Sequence, residues 1–141
     1  MQHTKILFTL FLLSFCISTY GQCDKTAAAC EVLLGKQFLS DGQEYRALLN
    51  GNETAEFRNT FYGGNTYRII CGSGPSTGHL QVRIYDQARN VLYNSGDFSH
   101  PASWDFKFTA TLNCTIEAQL MPSADGQAPS GCAVLLIGFK Q

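Results

Sequence analysis

The sequence predicts an all-β protein, an antiparallel β-sandwich of jelly-roll type with about eight strands and one short N-terminal helix packed on it. Three observations lead there. Apolar and polar residues alternate with a period of two, most plainly where Leu80, Val82 and Ile84 interleave with Gln81, Arg83 and Tyr85. Clusters of Gly, Asn, Asp and Pro interrupt the alternation at short intervals, as turns do. The closing run Cys132 to Phe139 is apolar at nearly every position, the pattern of a strand covered on both faces.

The first stretch of the 141 residues is expected to lie outside the fold. Met1 to Lys5 is a short basic leader, and Ile6 to Ile17 is an apolar run too short to span a bilayer. Thr19 and Gly21 put small residues where a signal peptidase inspects the chain, so residues 1–21 read as a secretory signal peptide. The mature chain is then periplasmic or secreted, with no transmembrane segment expected in it. A lipid-anchored form at Cys23 is the rival reading, and Gln22 is a poor residue to precede a lipidated cysteine. The remainder divides into an N-terminal helix, 22–36, and a β-sandwich domain, 37–141.

Within the helix, Asp24 is the expected cap and Lys25 to Leu34 the body, with Gly35 as the stop. Ala27, Cys30 and Leu34 share one stripe, which predicts packing against the sandwich. Two short apolar patches follow around the turn Ser40-Asp41-Gly42, then the turn Asn50-Gly51-Asn52. Thr54 to Tyr62 carries Phe57 and Phe61 on one side and Glu56 and Arg58 on the other. Gly63-Gly64-Asn65 reverses the chain into Thr66 to Cys71, and Gly72 to Gly78 reads as a flexible loop. His79 to Asp86 is the next strand, Asp86 to Asn90 a hairpin turn, Val91 to Tyr93 a strand and Asn94 to Asp97 another turn. Trp104 to Met121 alternates twice and is expected to form two central strands that the rest of the chain covers. Pro122 to Gly131 is a polar loop before the last strand, which is expected mid-sheet with its other side under the helix or a loop.

Charge and cysteines narrow the function classes. Lys5 is the only charged residue of the leader, so 10 basic residues against 11 acidic become 9 against 11, a balance of −2. The charges are scattered without a basic patch, which argues against nucleic acid as a partner. Once Cys16 leaves with the leader, Cys30, Cys71, Cys114 and Cys132 are the disulfide candidates, and Cys23 at the new terminus is the expected odd one out. Connectivity stays open. The spacing lacks the Cys-x-x-Cys pair of a zinc site.

From Phe61 onward the order of features resembles the bacterial pre-peptidase C-terminal domain, and more distantly the Golgi-dynamics type of β-sandwich. The marks are Gly64-Asn65-Thr66-Tyr67-Arg68-Ile69, Leu80 to Asp86, Phe106-Lys107-Phe108-Thr109, Cys114-Thr115-Ile116-Glu117 and Val134 to Phe139. The whole chain, ending in GCAVLLIGFKQ, is also similar to small secreted proteins of the Bacteroidetes. The resemblance implies a jelly-roll accessory module used for adhesion, substrate approach or secretion. His79 and Gln81 stand where that family often places aspartates, which weakens an inherited calcium site.

For chemistry, a nucleophile needs a base and an orienting group. His79 and His100 lie in no nucleophile motif, and Asp86, Asp97 and Asp105 are explained as turn and strand-face residues. The glycine-rich loop lacks the Gly-Lys-Ser/Thr ending of a phosphate loop. No cofactor is expected; calcium is the one candidate, with Asp86, Asn90 and Asp97 as hard oxygen ligands. Tyr62, Tyr85, Tyr93 and Trp104 are the candidate ligand-binding aromatics, with Trp104 in phase with the core and Tyr85 facing solvent. The expectation is a non-enzymatic module that binds or adheres to protein or glycan at the cell envelope. The alternatives are a small exported hydrolase using His79 or His100, or a calcium-dependent accessory domain.

Overall fold

The computed structural model describes residues 21–74, 80–122, 124–126 and 130–140. Residues 1–20 of the expected leader and His79 lie outside these. Helix α1 (Gly21–Leu34) precedes eight strands: β1 (Leu39–Asn50), β2 (Thr54–Phe61), β3 (Thr66–Gly72), β4 (Leu80–Tyr85), β5 (Val91–Asn94), β6 (Ser103–Lys107), β7 (Leu112–Leu120) and β8 (Ser130–Lys140). A 3₁₀ turn, Ser95–Phe98, separates β5 from β6.

The strands form two antiparallel four-stranded sheets, in the orders β1-β8-β3-β6 and β2-β7-β4-β5. Strands that neighbour one another in sequence mostly fall in opposite sheets, which is the double Greek-key arrangement of a jelly roll. The alternation expected for β4 and β7 is realised in full: Leu80, Val82, Ile84, Cys114, Ile116, Ala118 and Leu120 are buried between the sheets, and the intervening side chains face outward. Each large apolar side chain so buried stabilises the fold by about 1.5–3 kcal/mol.

Strand β8 is dry on both sides because it has a layer on each. Ala133, Leu135 and Ile137 face the sandwich interior, whereas Cys132, Val134 and Leu136 join Ala27, Cys30 and Ile70 beneath α1. The helix approaches closely because Gly138 has no side chain; a Cβ there would stand 2.2 Å from Leu34 Cδ1 and 3.2 Å from Phe38 Cβ. Arg68 on β3 secures the helix end. Its guanidinium donates to the Leu34 carbonyl at 3.2 Å, pairs with both carboxylate oxygens of Asp105 at 2.8 and 3.0 Å, and lies 4.3 Å from the centre of the Phe38 ring. A helix leaves its last carbonyls without intrahelical partners, and this side chain supplies one. At the other end, Arg46 of β1 joins Asp24 to Glu44.

Four expectations are corrected. Asp24 lies inside the first turn of α1 rather than capping it, because the helix extends back to Gly21. The two patches around Ser40-Asp41-Gly42 are one strand whose register against β8 shifts between Ser40 and Glu44, so the turn signal marks a bulge. The stretch Trp104 to Met121 is not a central pair: β6 is an edge strand of one sheet and β7 an inner strand of the other. The central strand is β8, since only a strand apolar on both faces suits the place between core and helix. Finally, Cys23 is not the odd cysteine. It is bonded to Cys132, 109 residues away, while Cys30, Cys71 and Cys114 are buried free thiols. Cys23 lies on the inward side of α1 above β8, so the terminus is packed and its sulfur reaches the strand.

Candidate functional site

One end of the sandwich carries a wide open groove of about 1120 Å³. The end of β2, the start of β7, the β2–β3 turn, the β4–β5 turn and the β1 bulge converge there. Asn59, Thr60 and Tyr62 come from the first of these segments and their turn, Asn113 and Thr115 from β7, Gln87 and Arg89 from the β4–β5 turn, and Asp41 and Gln43 from the bulge.

The floor and walls are braced. Phe61 stacks on Phe108 with centroids 4.6 Å apart and planes 2° from parallel, and Tyr67 meets both rings edge-on. Tyr67 Oη then accepts a hydrogen bond from the Tyr62 backbone N–H at 2.9 Å. The Gly63 N–H donates to Thr111 Oγ1, the Gly64 N–H to the Phe108 carbonyl, and the Phe108 N–H back to Asn65. A Cβ on Gly63 would lie 2.9 Å from the Ala110 Cα, so glycine is required for the two turns to touch. Tyr62 and Asn65 are therefore displayed on a clamped turn, with the Tyr62 ring exposed.

The β4–β5 turn is equally fixed. Asp86 accepts from both the backbone N–H and the side-chain amide of Asn90, each at 2.8 Å, and these bonds hold its carboxyl below the usual range. Arg89 lies over the Tyr85 ring at 4.4 Å and pairs with Glu117 at 2.7 Å. In the bulge, Asp41 accepts from the Gln43 N–H at 2.9 Å; burial nevertheless pushes its carboxyl above the usual range. The Tyr45 hydroxyl donates to Gln43 Oε1, which leaves the amide nitrogen of this groove-lining residue as a donor.

The predicted residues separate as follows. Tyr62 lines the groove. Tyr85 lies on the outer sheet face under Arg89. Tyr93 and Trp104 stack at 4.6 Å inside the β5/β6 edge, with Phe98 on the other face of Tyr93, so they close the sandwich. Tyr93 is buried, and the desolvated hydroxyl has its pKa pushed up to about 12. Asp86 and Asn90 build one turn, while Asp97 accepts from Asn94 in the 3₁₀ turn at the opposite end of β5. The three are not brought together, and among the described residues no group of three or more His, Cys, Asp or Glu side chains is placed to hold a metal ion.

His100 lines a second cavity, of about 750 Å³, at the other end of the molecule beneath α1. Its companions include Cys30 and Cys71 but no carboxylate among the described residues. Burial pushes the Cys30 thiol up to about 11 and the Cys71 thiol up to about 12, with the Cys30 charge adding to the second. A nucleophilic cysteine needs the opposite shift. Among the described residues the cavity thus brings together a histidine and two thiols that burial favours in the neutral form.

Sequence reasoning found Tyr62 and missed the amides beside it. One signal was present: Asn59 falls on the inward phase of β2 between Phe57 and Phe61, where a polar residue calls for a reason.

No family model matches the chain, and no curated protein matches it in sequence. Among solved structures it is similar to PliG of Aeromonas hydrophila, a periplasmic lysozyme inhibitor of g-type lysozyme. That likeness has a TM-score of 0.54 at 14% identity and covers 75% of this chain and 90% of the other. A de novo designed double-stranded β-helix matches at a TM-score of 0.34 and 15% identity, over 70% of this chain and 99% of that one. At such identity the likeness to PliG shows the fold. Among the described residues no helix is long and apolar enough to cross a membrane.

Proposed function

We propose that the mature chain is an exported, non-enzymatic β-sandwich module that binds a protein or glycan of the cell envelope. The observation that carries this reading is the braced groove. It displays amides and an exposed tyrosine on braced turns, so the backbone needs little ordering when a ligand binds, and among the described residues no histidine lines it. The apolar run at Ile6 to Ile17 and the Cys23–Cys132 bridge support export to an oxidising compartment. The fold shared with a periplasmic inhibitor, and the accessory role implied by the resemblance to pre-peptidase C-terminal domains, point the same way.

The test is capture from an envelope fraction of the producing cell by the immobilised mature chain, with a His100→Ala variant in parallel. A discrete protein or glycan retained equally by both is the expected result. Turnover of an envelope component by the native chain, lost in His100→Ala, would replace this reading with the hydrolase.

A further inference from the structure

We infer that the groove at the β2–β3 end is a site for a neutral carbohydrate chain, with the Tyr62 ring as its stacking platform. The inference rests on the binding-module reading and adds the chemical class of the ligand.

Charge supplies the first argument. The groove's four charged side chains are two carboxylates, Asp41 and Glu56, and two guanidiniums, Arg58 and Arg89. Arg58 pairs with Glu56 at 3.3 Å, Arg89 with Glu117, and Asp41 is turned into its own bulge onto the Gln43 N–H. The field is balanced, and the charged groups are engaged within the protein. A phosphate-bearing, polyanionic or polycationic ligand would meet no excess of opposite charge.

The second argument lies in what is left over. Among the described residues, nothing hydrogen-bonds to the side-chain amides of Asn59, Asn65 and Gln87, all of which line the groove. Asn113 accepts from Thr60 Oγ1 at 2.7 Å and Gln43 accepts from the Tyr45 hydroxyl, so each offers its amide N–H groups. A side-chain amide has a donor and an acceptor set side by side, which suits the vicinal hydroxyls of a sugar, each itself a donor and an acceptor. Asn59 is half-buried on the inward phase of β2, which Ala55, Phe57 and Phe61 otherwise occupy, and its amide is open to solvent at the groove.

Tyr62 supplies the third. It is 61% exposed although large and aromatic, and its backbone is fixed by the bond to Tyr67 Oη. An exposed ring on a fixed backbone, beside an array of amides, can stack on the apolar face of a pyranose while the amides read its edge.

Affinity electrophoresis of the mature chain through gels containing neutral polysaccharides (a β-glucan, a mannan, a xylan), with polygalacturonate and heparin as charged probes, tests the assignment. Retardation by at least one neutral polysaccharide is expected, weakened about tenfold or more by Tyr62→Ala and by Asn59→Ala. Leu48→Ala, on the outer face of β1, should migrate as the native chain does. Circular dichroism of each variant separates loss of binding from loss of fold, and Asn65→Ala serves if Asn59→Ala does not fold. Retardation by no neutral polysaccharide, retardation by the charged probes alone, or a Tyr62→Ala variant that binds as well as the native chain overturns the inference. If in those cases the envelope capture still returns a protein, the module reading survives and only the carbohydrate assignment falls; if it returns nothing, both fall.

Discussion

Cutting the Cys23–Cys132 bridge is the perturbation with the largest expected effect on stability. The bridge closes a loop of 109 residues, running from the first helix to the last strand. In the chain-entropy treatment a loop of that length restricts the unfolded state by about 4.8 kcal/mol, close to the whole stability of many small domains. Cys23→Ser is the cleaner substitution, because Cys23 is half-buried whereas Cys132 is in the layer beneath α1, where a shortened side chain would add a cavity. For a urea slope of about 2 kcal/mol/M, the unfolding midpoint should fall by about 2 M. Reductant should lower the native protein by the same amount and leave Cys23→Ser where it was. The reasoning is refuted if Cys23→Ser unfolds at the native midpoint under oxidising conditions, or if reductant shifts both proteins equally.

Three further outcomes are expected. Arg68→Ala should lower stability by about 1–2 kcal/mol, since it removes a bidentate, partly exposed ion pair and a bond to the end of α1; Arg68→Lys should recover only part of this. Arg68 holds the Asp105 carboxyl below its ordinary 3.8, so that contribution is present above this value and is lost as the pH falls through the folded-state value. The gap between native and Arg68→Ala midpoints should therefore close on acidification. Gly138→Ala should cost about 1–3 kcal/mol by forcing Leu34 and Phe38 off β8, seen as a lower urea midpoint with the fold retained. Cys30 and Cys71, with thiols pushed up to about 11 and about 12, should resist iodoacetamide at neutral pH in the native chain and react once urea unfolds it.

What the sequence disclosed depended on how local the cause was. The inward faces of β4 and β7 were legible because each residue's neighbour two places away repeats its environment, and β8 was legible because burial on both faces removes the alternation. Strand β1 was not, since Ser40-Asp41-Gly42 spells a turn whether the chain reverses or merely bulges. The pairing of Cys23 was hidden for a different reason: it depends on Cys23 lying within α1 and on α1 lying along β8, a tertiary fact. The groove was the least legible part. Its amides come from five separated segments, and Tyr62 carries no local mark that separates it from Tyr85 or Tyr93. Asp86 and Asn90 looked like ion ligands for the same reason that they make a good turn, because short oxygen-bearing side chains serve both uses.

The position of β8 has a consequence for how the molecule comes into being. It follows every other strand in chain order, yet it is the partner that both β1 and β3 require. A nascent polypeptide that has not yet delivered Ser130–Lys140 has these two would-be neighbours and no strand to bridge them. β1 and β3 can therefore be joined into one sheet only once the C-terminal strand has been made.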